Sequence, residues 1–570
     1  MRRTIRIDAA RRRFVRALAV GTALAGSGGF LASCGDHDES PTPDLDFTHG
    51  VASGDPGADR VVLWTRAVPP AGTDVGTAIT LGWEVATDED FTRNVQRGTA
   101  GTSAARDYTV KVDVTGLAPA TVYHYRFVAG ERRSAIGRTK TLPLGSVDRI
   151  RLAVFTGADF GEGYFHVYTE AVKLGDVDAA VHLGDYIHAA GFPFAMSTEL
   201  GRLVVPADEA VTLDQYRQRY AQYRTDPDLQ ALHAAMPMIA IWNDQEVAEP
   251  LGAPPAGGAW DPSALAAHEA RRAAAMQAYE EWMPIRLPDP ARPGKIFRSF
   301  DFGDLVSLHM LDTRHAGRDQ PLGGYLSLSP VTRTTLVNGA WQQDASAPAR
   351  QMLGEEQASW LDARMAQSGA PWQLLGQQVL MAAMRLPAPV LSGELSVAAY
   401  QAVLDRPGSN DPNDIRIRSY PSIPYSFFNW DGYVAARERV FATALSQDKN
   451  LVSLAGNTNC AWASDLRDAA GRAVGVEFAA PAVSSSQTDS SVVYGQRSDA
   501  LNQALPGLVG PGLKYAETTL RGMMLITATP GELRADWLYV DTVTRKTYSA
   551  GVGRSLKVLP GAGQRRVVEV

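Results

Sequence analysis

The stretch Val181-His-Leu-Gly-Asp-Tyr-Ile-His188 ends an apolar run in a Gly-Asp pair, which predicts a buried strand that delivers Asp185 to its carboxyl end. Upstream, residues 151–155 predict a second buried strand, and residues 165–173 predict the helix that follows it. Together they form a βαβ unit with Asp159 and Asp185 at one edge, where open α/β sheets bind ligands. A lone aspartate in this position can equally cap a helix or a turn.

The same pattern recurs further along the chain. Apolar runs at residues 237–242, 305–311 and 451–456 predict buried strands, and each is followed by a polar cluster. These clusters are Asn243-Asp-Gln-Glu246, Asp312-Thr-Arg314 and Asn457-Thr-Asn459. The recurrence indicates one sheet edge that gathers polar side chains from several strands.

The N-terminal quarter has a different pattern. Between residues 47 and 142 the chain alternates short β-rich runs with turn residues, which predicts a small antiparallel sandwich. With 570 residues, the chain is too long for one ordinary core, so a second, larger domain is expected.

Composition excludes some classes of partner. Hydrophobic residues make up 45% and charged residues 21%, as in soluble globular proteins, and the formal net charge is −7. This charge and the lack of a basic stripe argue against a nucleic-acid-binding surface.

Residues 1–33 predict export. Residues 10–16 hold an arginine-rich motif ahead of an apolar stretch, and this resembles a twin-arginine signal. The stretch Leu31-Ala-Ser-Cys34 resembles a lipobox, so Cys34 is predicted to carry a lipid anchor, in the periplasm or at the cell surface. Residues 34–46 then form a tether, and Cys460, the only other cysteine, is left without a disulfide partner.

The ordered motifs resemble the alkaline phosphatase D (PhoD-type) family of metallophosphoesterases over nearly the whole chain after the leader. The matching stretches are His49-Gly-Val-Ala-Ser-Gly-Asp-Pro56, Leu63-Trp-Thr-Arg66, Gly163-Tyr-Phe165, His182-Leu-Gly-Asp-Tyr-Ile187, Tyr220-Ala-Gln-Tyr-Arg-Thr-Asp-Pro227, Leu311-Asp-Thr-Arg314, Trp430-Asp-Gly-Tyr433 and Trp537-Leu-Tyr-Val-Asp541. The resemblance implies an α/β (α+β) fold, with an α/β/β/α sandwich core at residues 146–545. A small all-β domain of fibronectin or immunoglobulin type precedes it at residues 47–145, and a tail follows at 546–570. It also implies hydrolysis of phosphate mono- and diesters outside the cytoplasm, with iron and calcium as cofactors.

Carried over by position, the resemblance implies a changed metal site. Gly157 stands where the family has a thiolate ligand, His188 where it has a tyrosine, and Gln245 where it has a histidine. Asn457 and Asn459 replace an aspartate and a histidine. The residues implied as metal ligands are Asp185, His188, Asp244, Asn457 and Asn459, and those implied in catalysis are Asp185, Asp244, Gln245 and Arg314.

These exchanges leave two main hypotheses. The first is a phosphoesterase with an altered metal site, and the second is an inactive, lipid-anchored module that binds a phosphate-bearing or glycan ligand. Amide oxygens offer a dipole instead of a charge to a hard cation, so the standard two-metal mechanism is not expected. A serine hydrolase has little support, because no Gly-x-Ser-x-Gly lies between a strand and a helix and Ser484-Ser-Ser486 has the pattern of a loop. Cys460 could be a nucleophile or a ligand, although a buried inert thiol fits its apolar setting better.

Overall fold

The computed structural model describes residues 45–70, 78–190, 195–247, 262–322, 340–391, 394–486 and 499–570. The predicted leader, Cys34 and most of the predicted tether lie outside these ranges. None of the described helices is long and apolar enough to cross a membrane.

The described strands are numbered in chain order. They are β1 Val51–Gly54, β2 Arg60–Arg66, β3 Ile79–Ala86, β4 Gln96–Thr102, β5 Thr109–Thr115, β6 Val122–Ala129, β7 Arg132–Arg133, β8 Gly137–Lys140, β9 Ile150–Phe155, β10 Ala179–His182, β11 Met238–Ala240, β12 Arg298–Phe302, β13 Val306–Met310, β14 Trp372–Gly376, β15 Arg385–Pro387, β16 Ser422–Pro424, β17 Asn450–Ala455, β18 Ala461–Arg467, β19 Ala473–Ala479, β20 Leu513–Glu517, β21 Arg521–Ala528, β22 Leu533–Val540, β23 Ala550–Val558 and β24 Val568–Glu569.

The described α-helices are numbered in the same way. They are α1 His166–Lys173, α2 Ala195–Leu200, α3 Leu213–Tyr223, α4 Pro227–Ala235, α5 Pro262–Trp282, α6 Ala340–Ala345, α7 Gly354–Gln367, α8 Ala388–Leu391, α9 Val397–Leu404, α10 Pro412–Ser419, α11 Val434–Ser446 and α12 Asp499–Val509. Helix α4 begins where its sequence directs, because the Asp226 carboxylate accepts hydrogen bonds from two N–H groups of the first turn and Pro227 occupies a position that needs no N–H.

Two large sheets form the centre of the molecule. The first has the order β24-β23-β22-β21-β9-β10-β11-β1-β2-β5, and the second has the order β12-β13-β14-β17-β19-β18-β20. Strands β9, β10 and β11 are mutually parallel, as are β13, β14, β17 and β19. Each set of parallel strands therefore ends at one edge, which is the arrangement that the sequence predicts.

The apolar core lies between these sheets. Neighbouring residues of one strand point to opposite faces, so Leu374 of β14 joins the core shared by both sheets while Leu375 packs with α7 and α11. Strand β17 alternates in the same way, with Val452 facing the shared core and Leu451 facing the helices. The result is a mixed α/β fold with helices outside two packed sheets.

The N-terminal β-rich region shares a sheet with this core. Its strands β1, β2 and β5 extend the first sheet, because β1 pairs with β11 in parallel at Gly54 and Met238. Strands β3, β4, β6, β7 and β8 form a separate small sheet. An apolar cluster of its own fills the space between this small sheet and strands β1, β2 and β5. The buried pair of Asp55 and Arg298, with an Nη2 to Oδ1 distance of 2.6 Å, fastens the two parts together. At the other end, residues 546–570 supply β23 and β24 to the first sheet.

Candidate active site

The predicted polar clusters meet at one edge of the two sheets. Thr156, directly after β9, forms a bridge with Ala482, which follows β19 of the other sheet. The N–H groups of Ser484 and Ser485 both donate to the Gly157 carbonyl oxygen, at 3.2 and 3.1 Å. The loop after β19 therefore closes over the end of β9 and brings residues from both sheets into one cleft.

Five of the polar side chains form what we term the amide cluster: Asp185, Asn243, Asp244, Arg314 and Asn457. The Asn243 amide donates to Asp185 Oδ2 at 2.9 Å and to Asn457 Oδ1 at 2.8 Å. Arg314 donates from Nε to Asn243 Oδ1 and from Nη2 to Asn457 Oδ1, both at 2.6 Å. The Asp244 carboxylate lies 3.7 Å from Arg314 Nη2. Arg314 is thus a buried cation at the centre of the cluster, and two of its hydrogen bonds go to uncharged amide oxygens.

Asp185 is held by its backbone. Its φ of 56° is in the left-handed region, and the preceding Gly184 has a φ of 101° and lies so close to Asn243 that a Cβ would be 2.5 Å from the Asn243 Cβ. Burial, followed by repulsion from Asp244 and Glu246, raises the pKa of Asp185 well above its usual value. Its Oδ1 is buried without a hydrogen-bond partner among the described residues.

Glu246 supports the turn that carries Asp185. Its carboxylate accepts hydrogen bonds from the N–H groups of Asp185 and Asn243 at 2.9 Å and of Tyr186 at 2.5 Å. Burial raises the pKa of Glu246 to about 7 in spite of these bonds. Glu246 therefore joins the β10 and β11 loops, a structural role that its place in a motif does not by itself indicate.

A second group, which we term the His188 cluster, lies beside the first and consists of Asp159, His188 and Ser485. His188 Nδ1 is 3.3 Å from Asp159 Oδ2, and His188 Nε2 is 3.0 Å from Ser485 Oγ. All three side chains are buried. Both ring nitrogens of His188 are therefore engaged in this group, so a metal ion would have to displace a partner in order to bind the imidazole.

Gly157 and Asn459 lie between the two clusters. Gly157 has a φ of 65°, and a Cβ placed on it would lie 2.3 Å from Asn459 Oδ1. The Asn459 amide nitrogen donates to the Ser486 carbonyl oxygen at 3.2 Å, while its buried Oδ1 has no hydrogen-bond partner among the described residues. The space that a longer side chain at 157 would need is thus filled by the side chain of Asn459.

The remaining residues of the motifs have structural contacts. Asp312 Oδ2 accepts from Trp242 Nε1 at 3.0 Å, and Asp312 Oδ1 accepts from the backbone N–H groups of Arg314 and His315. Asp312 therefore supports the turn that carries Arg314, and its carboxylate is occupied by backbone and indole donors. Gln245 is half-buried, and its backbone carbonyl oxygen accepts a hydrogen bond from the Ala189 N–H. Cys460 is buried in the apolar cluster beside Trp462, as an inert thiol would be.

Comparison with known proteins places this site in a family. A profile of the PhoD-like phosphatases matches residues 152–537, and one of the PhoD-like phosphatase N-terminal domain matches residues 33–143. The chain belongs to the PhoD-like phosphatase family. It is 33% identical to alkaline phosphatase D of Bacillus subtilis (strain 168) over 509 residues, which cover 87% of this chain and 78% of that protein. A solved structure of PhoD superposes with a TM-score of 0.74 at 31% identity and covers 94% of both chains.

PhoD-like phosphatases depend on metal ions, so the residues present were tested against such a centre. Among the described residues, no three His, Cys, Asp or Glu side chains lie together in a way that could hold an ion. The amide cluster offers two carboxylates, Asp185 with a raised pKa and Asp244 beside the Arg314 guanidinium. Hard cations require more anionic oxygen than this, and the guanidinium repels them. The residues that the structure describes in this cleft do not fit a two-metal centre.

The residues that the sequence implies as metal ligands thus do not all lie in one cluster. The structure brings Asp185, Asp244 and Asn457 together with Arg314 in the amide cluster. His188 lies in the neighbouring cluster, and Asn459 lies between the two. Ser485 was missed in the sequence because its contact with His188 spans 297 residues and the serine run has no motif of its own.

Proposed function

We propose that this chain is a phosphoester-binding member of the PhoD-like phosphatases that has exchanged the two-metal hydrolytic site for a guanidinium site. The observation that carries the proposal is Arg314, a buried cation at the end of β13 that donates hydrogen bonds to two uncharged amide oxygens. A planar guanidinium presents paired N–H donors that match phosphate oxygens. Arg314 is the phosphate anchor of this cleft, and the Asn243 amide, which is 2.8 Å from Asn457 Oδ1, orients it.

The charges around Arg314 support binding without metal-dependent hydrolysis. Asn457 carries no charge, and the Arg314 guanidinium lies 3.7 Å from the Asp244 carboxylate, so the cluster offers little net negative charge to an ion. A metal-activated hydroxide forms only where an ion is bound close enough to lower the pKa of water. The guanidinium instead supplies positive charge directly to an anionic ligand.

A second function is favoured by a specific observation. Asp185 Oδ1 and Asn459 Oδ1 are buried oxygens without hydrogen-bond partners among the described residues. Buried oxygens of this kind are costly unless something binds them. They favour the alternative of a phosphoesterase with an altered site that takes a single ion.

Export as a lipoprotein completes the proposal. The arginine-rich leader and the lipobox at Cys34 support an anchored protein outside the cytoplasm. The ligand would then be a phosphate monoester or diester of the periplasm or cell surface.

One set of measurements separates the two functions. The full chain, purified from an exporting host without chelator, is titrated with p-nitrophenyl phosphate by calorimetry, and its metal content is measured by elemental mass spectrometry. We expect binding that is lost in Arg314→Gln, background metal, and no hydrolysis above the rate in buffer after iron and calcium are added. The matched control Arg439→Gln removes the same charge from the surface of α11, where Arg439 contacts Glu355, and should bind like the wild type.

Two results would contradict the proposal. Binding that persists unchanged in Arg314→Gln would show that the guanidinium is not the anchor. Near-stoichiometric metal that is lost in Asp185→Ala, together with hydrolysis, would establish the altered-site phosphoesterase instead.

A further inference from the structure

Arg224 is a buried guanidinium to which the surrounding chain offers little negative charge. The residue directly follows α3, it is 1% exposed, and its Nε and Nη2 have no hydrogen-bond partner among the described residues. Its Nη1 lies 3.4 Å from the Tyr186 hydroxyl oxygen, and its guanidinium carbon lies 4.0 Å from the centre of the Trp64 ring. A hydroxyl and an aromatic face stabilise a cation only in part, so this buried charge is incompletely compensated.

Other buried arginines show how this protein satisfies such a group elsewhere. Arg298 and Arg437 each face a carboxylate, at nitrogen to oxygen distances of 2.6 and 2.8 Å. Arg219, which lies on α3 itself, donates to five backbone carbonyl oxygens. The described residues give the Arg224 side chain neither a carboxylate nor a carbonyl oxygen as a partner. An acceptor for its Nε and Nη2 must therefore come from outside these residues.

The unpartnered atoms of the neighbouring side chains are donors as well. Trp282 Nε1, the Tyr220 hydroxyl and His49 Nδ1 are buried without a hydrogen-bond partner among the described residues. An indole N–H can only donate. The His49 ring is neutral, because burial and the charges of Arg66 and Arg224 lower its pKa to about 3. Arg66 Nη1 lies 3.4 Å from His49 Nε2 and donates to it, so the His49 proton is on Nδ1, which is a further donor.

These side chains pack against one another where the N-terminal region meets the core. The centre of the Trp282 ring lies 5.6 Å from that of Trp64, 6.2 Å from that of Tyr220 and 5.4 Å from that of His49. Tyr220 and Arg224 are four residues apart at the end of α3, and the Arg224 N–H donates to the Tyr220 carbonyl oxygen at 3.0 Å. The unpartnered donors thus come from α3, α5 and the N-terminal region and belong to one packed group.

A halide ion fits a group of donors better than water does. A buried water molecule donates two hydrogen bonds and needs acceptors for them, whereas a halide only accepts. The halide also brings the negative charge that a buried guanidinium lacks, and an unpaired buried charge is costly. We propose that Arg224 binds a chloride ion at this junction, where the ion holds the N-terminal region against the core.

Bromide tests the site directly, because it substitutes for chloride and scatters X-rays anomalously. Crystals of the full chain are soaked in sodium bromide, and diffraction is recorded at the bromine absorption edge. We expect an anomalous peak within hydrogen-bond distance of Arg224 Nε or Nη2. The absence of a peak at this place overturns the proposal, whether or not any variant folds.

Thermal unfolding shows whether the ion is bound in solution. Chloride replaces gluconate at constant sodium, from about 1 mM to about 100 mM, and an ion that binds only the folded state should raise Tm by about 2 °C. This rise should be lost in Arg224→Gln. The matched control Arg219→Gln removes a buried guanidinium with carbonyl partners, so it should lower Tm and keep the rise. A wild type without the rise, or an unchanged rise in Arg224→Gln, overturns the proposal.

Arg314→Gln separates this ion from the ligand of the amide cluster. The Arg314 guanidinium is the proposed phosphate anchor, and a guanidinium there can also attract chloride. We expect the rise in Tm to persist in Arg314→Gln, whatever that variant does to phosphate binding. A rise that is lost in Arg314→Gln and kept in Arg224→Gln places the chloride ion in the amide cluster and overturns the proposal.

Discussion

The two clusters at the sheet edge differ in what surrounds their charged groups. In the amide cluster, Arg314 bonds to the neutral amides of Asn243 and Asn457, and Asp185 has a raised pKa. In the His188 cluster, an imidazole lies between a carboxylate and a hydroxyl. The first arrangement surrounds a buried guanidinium with amides and the second sets an imidazole beside a carboxylate, although both are built on loops that follow parallel strands.

The difference shows that one sheet edge can hold a buried guanidinium among amides and a buried imidazole beside a carboxylate. At sequence positions where a metal centre would have its ligands, neutral side chains and one guanidinium here bond to one another. The Asn243 amide bonds to the Asp185 carboxylate and to Asn457 Oδ1, and Arg314 bonds to the amide oxygens of Asn243 and Asn457, so these buried donors are paired. The comparison depends on the amide cluster being poor in negative charge, and this can be tested.

The dependence of stability on pH is the strongest such test. The pKa of buried Glu246 is raised from 4.5 to about 7, so the folded state binds a proton more tightly than the unfolded state does. Its contribution to the free energy of unfolding is therefore full below pH 4.5 and is lost as the pH rises through 7. At about 1.4 kcal/mol per pKa unit, the loss is about 3 kcal/mol. Urea unfolding between pH 4.5 and 8 should show this fall, and Glu246→Gln should flatten it.

Glu477 provides the matched control for this experiment. It is equally buried, its pKa is also raised to about 7, and it accepts backbone N–H bonds from Met381 and Ala382, away from the cleft. Glu477→Gln should flatten the curve to a similar extent and leave phosphate binding unchanged. If Glu246→Gln leaves the slope unaltered while Glu477→Gln reduces it, Glu246 is ionised in the folded state, as it would be beside a bound cation.

A glycine substitution tests whether the two clusters are joined. Gly157→Ala adds a Cβ at 2.3 Å from Asn459 Oδ1 and forces alanine into a φ of 65°, so it should lower the free energy of unfolding by about 2 kcal/mol or more. Asn459→Ala in the same chain should restore about half of this loss, since it removes the clashing atom and leaves the backbone strain. Gly175→Ala, with a φ of 72° and nothing within 4 Å of its Cβ, serves as the strain-only control. Equal losses for the two glycines would mean that Asn459 does not fill the space at 157.

The sequence predicts the sheet edge but not the contacts across it. Asp185, Asp244 and Asn457 could be placed together because each follows a buried parallel strand, and the carboxyl ends of such strands meet. Nothing local indicates that the loop after β19 crosses to β9, since the bridge between Thr156 and Ala482 joins two sheets. The contact of His188 with Ser485 depends on that crossing, and so it could not be inferred.

For a similar reason, the sequence does not predict how the N-terminal region joins the core. The alternating pattern of β2 and β6 predicts a sandwich, and the structure contains one. Only one pair of residues, Gly54 and Met238, defines the pairing of β1 with β11. A Cβ at Gly54 would lie 2.2 Å from the Pro284 carbonyl oxygen, so glycine permits the close approach, but glycine alone does not identify its partner.

The smallest effect that we predict is a loss of phosphate affinity when a charge is added to the amide cluster. Asn457→Asp places a carboxylate where an amide oxygen now lies 2.6 Å from Arg314 Nη2, and the new charge competes with phosphate for the guanidinium. We expect the affinity for p-nitrophenyl phosphate to fall about tenfold, which is about 1.4 kcal/mol. Asn457 has a φ of 62°, which aspartate tolerates about as well as asparagine, so the backbone should not change.

The control for this substitution has the same backbone geometry in a remote place. Asn94→Asp, at a φ of 50° in the N-terminal region, adds one negative charge far from Arg314 and should leave phosphate affinity unaltered. If Asn94→Asp lowers the affinity as much as Asn457→Asp does, the effect comes from the net charge of the protein and not from the guanidinium. Arg314 would then not be the group that recognises the charge of the ligand.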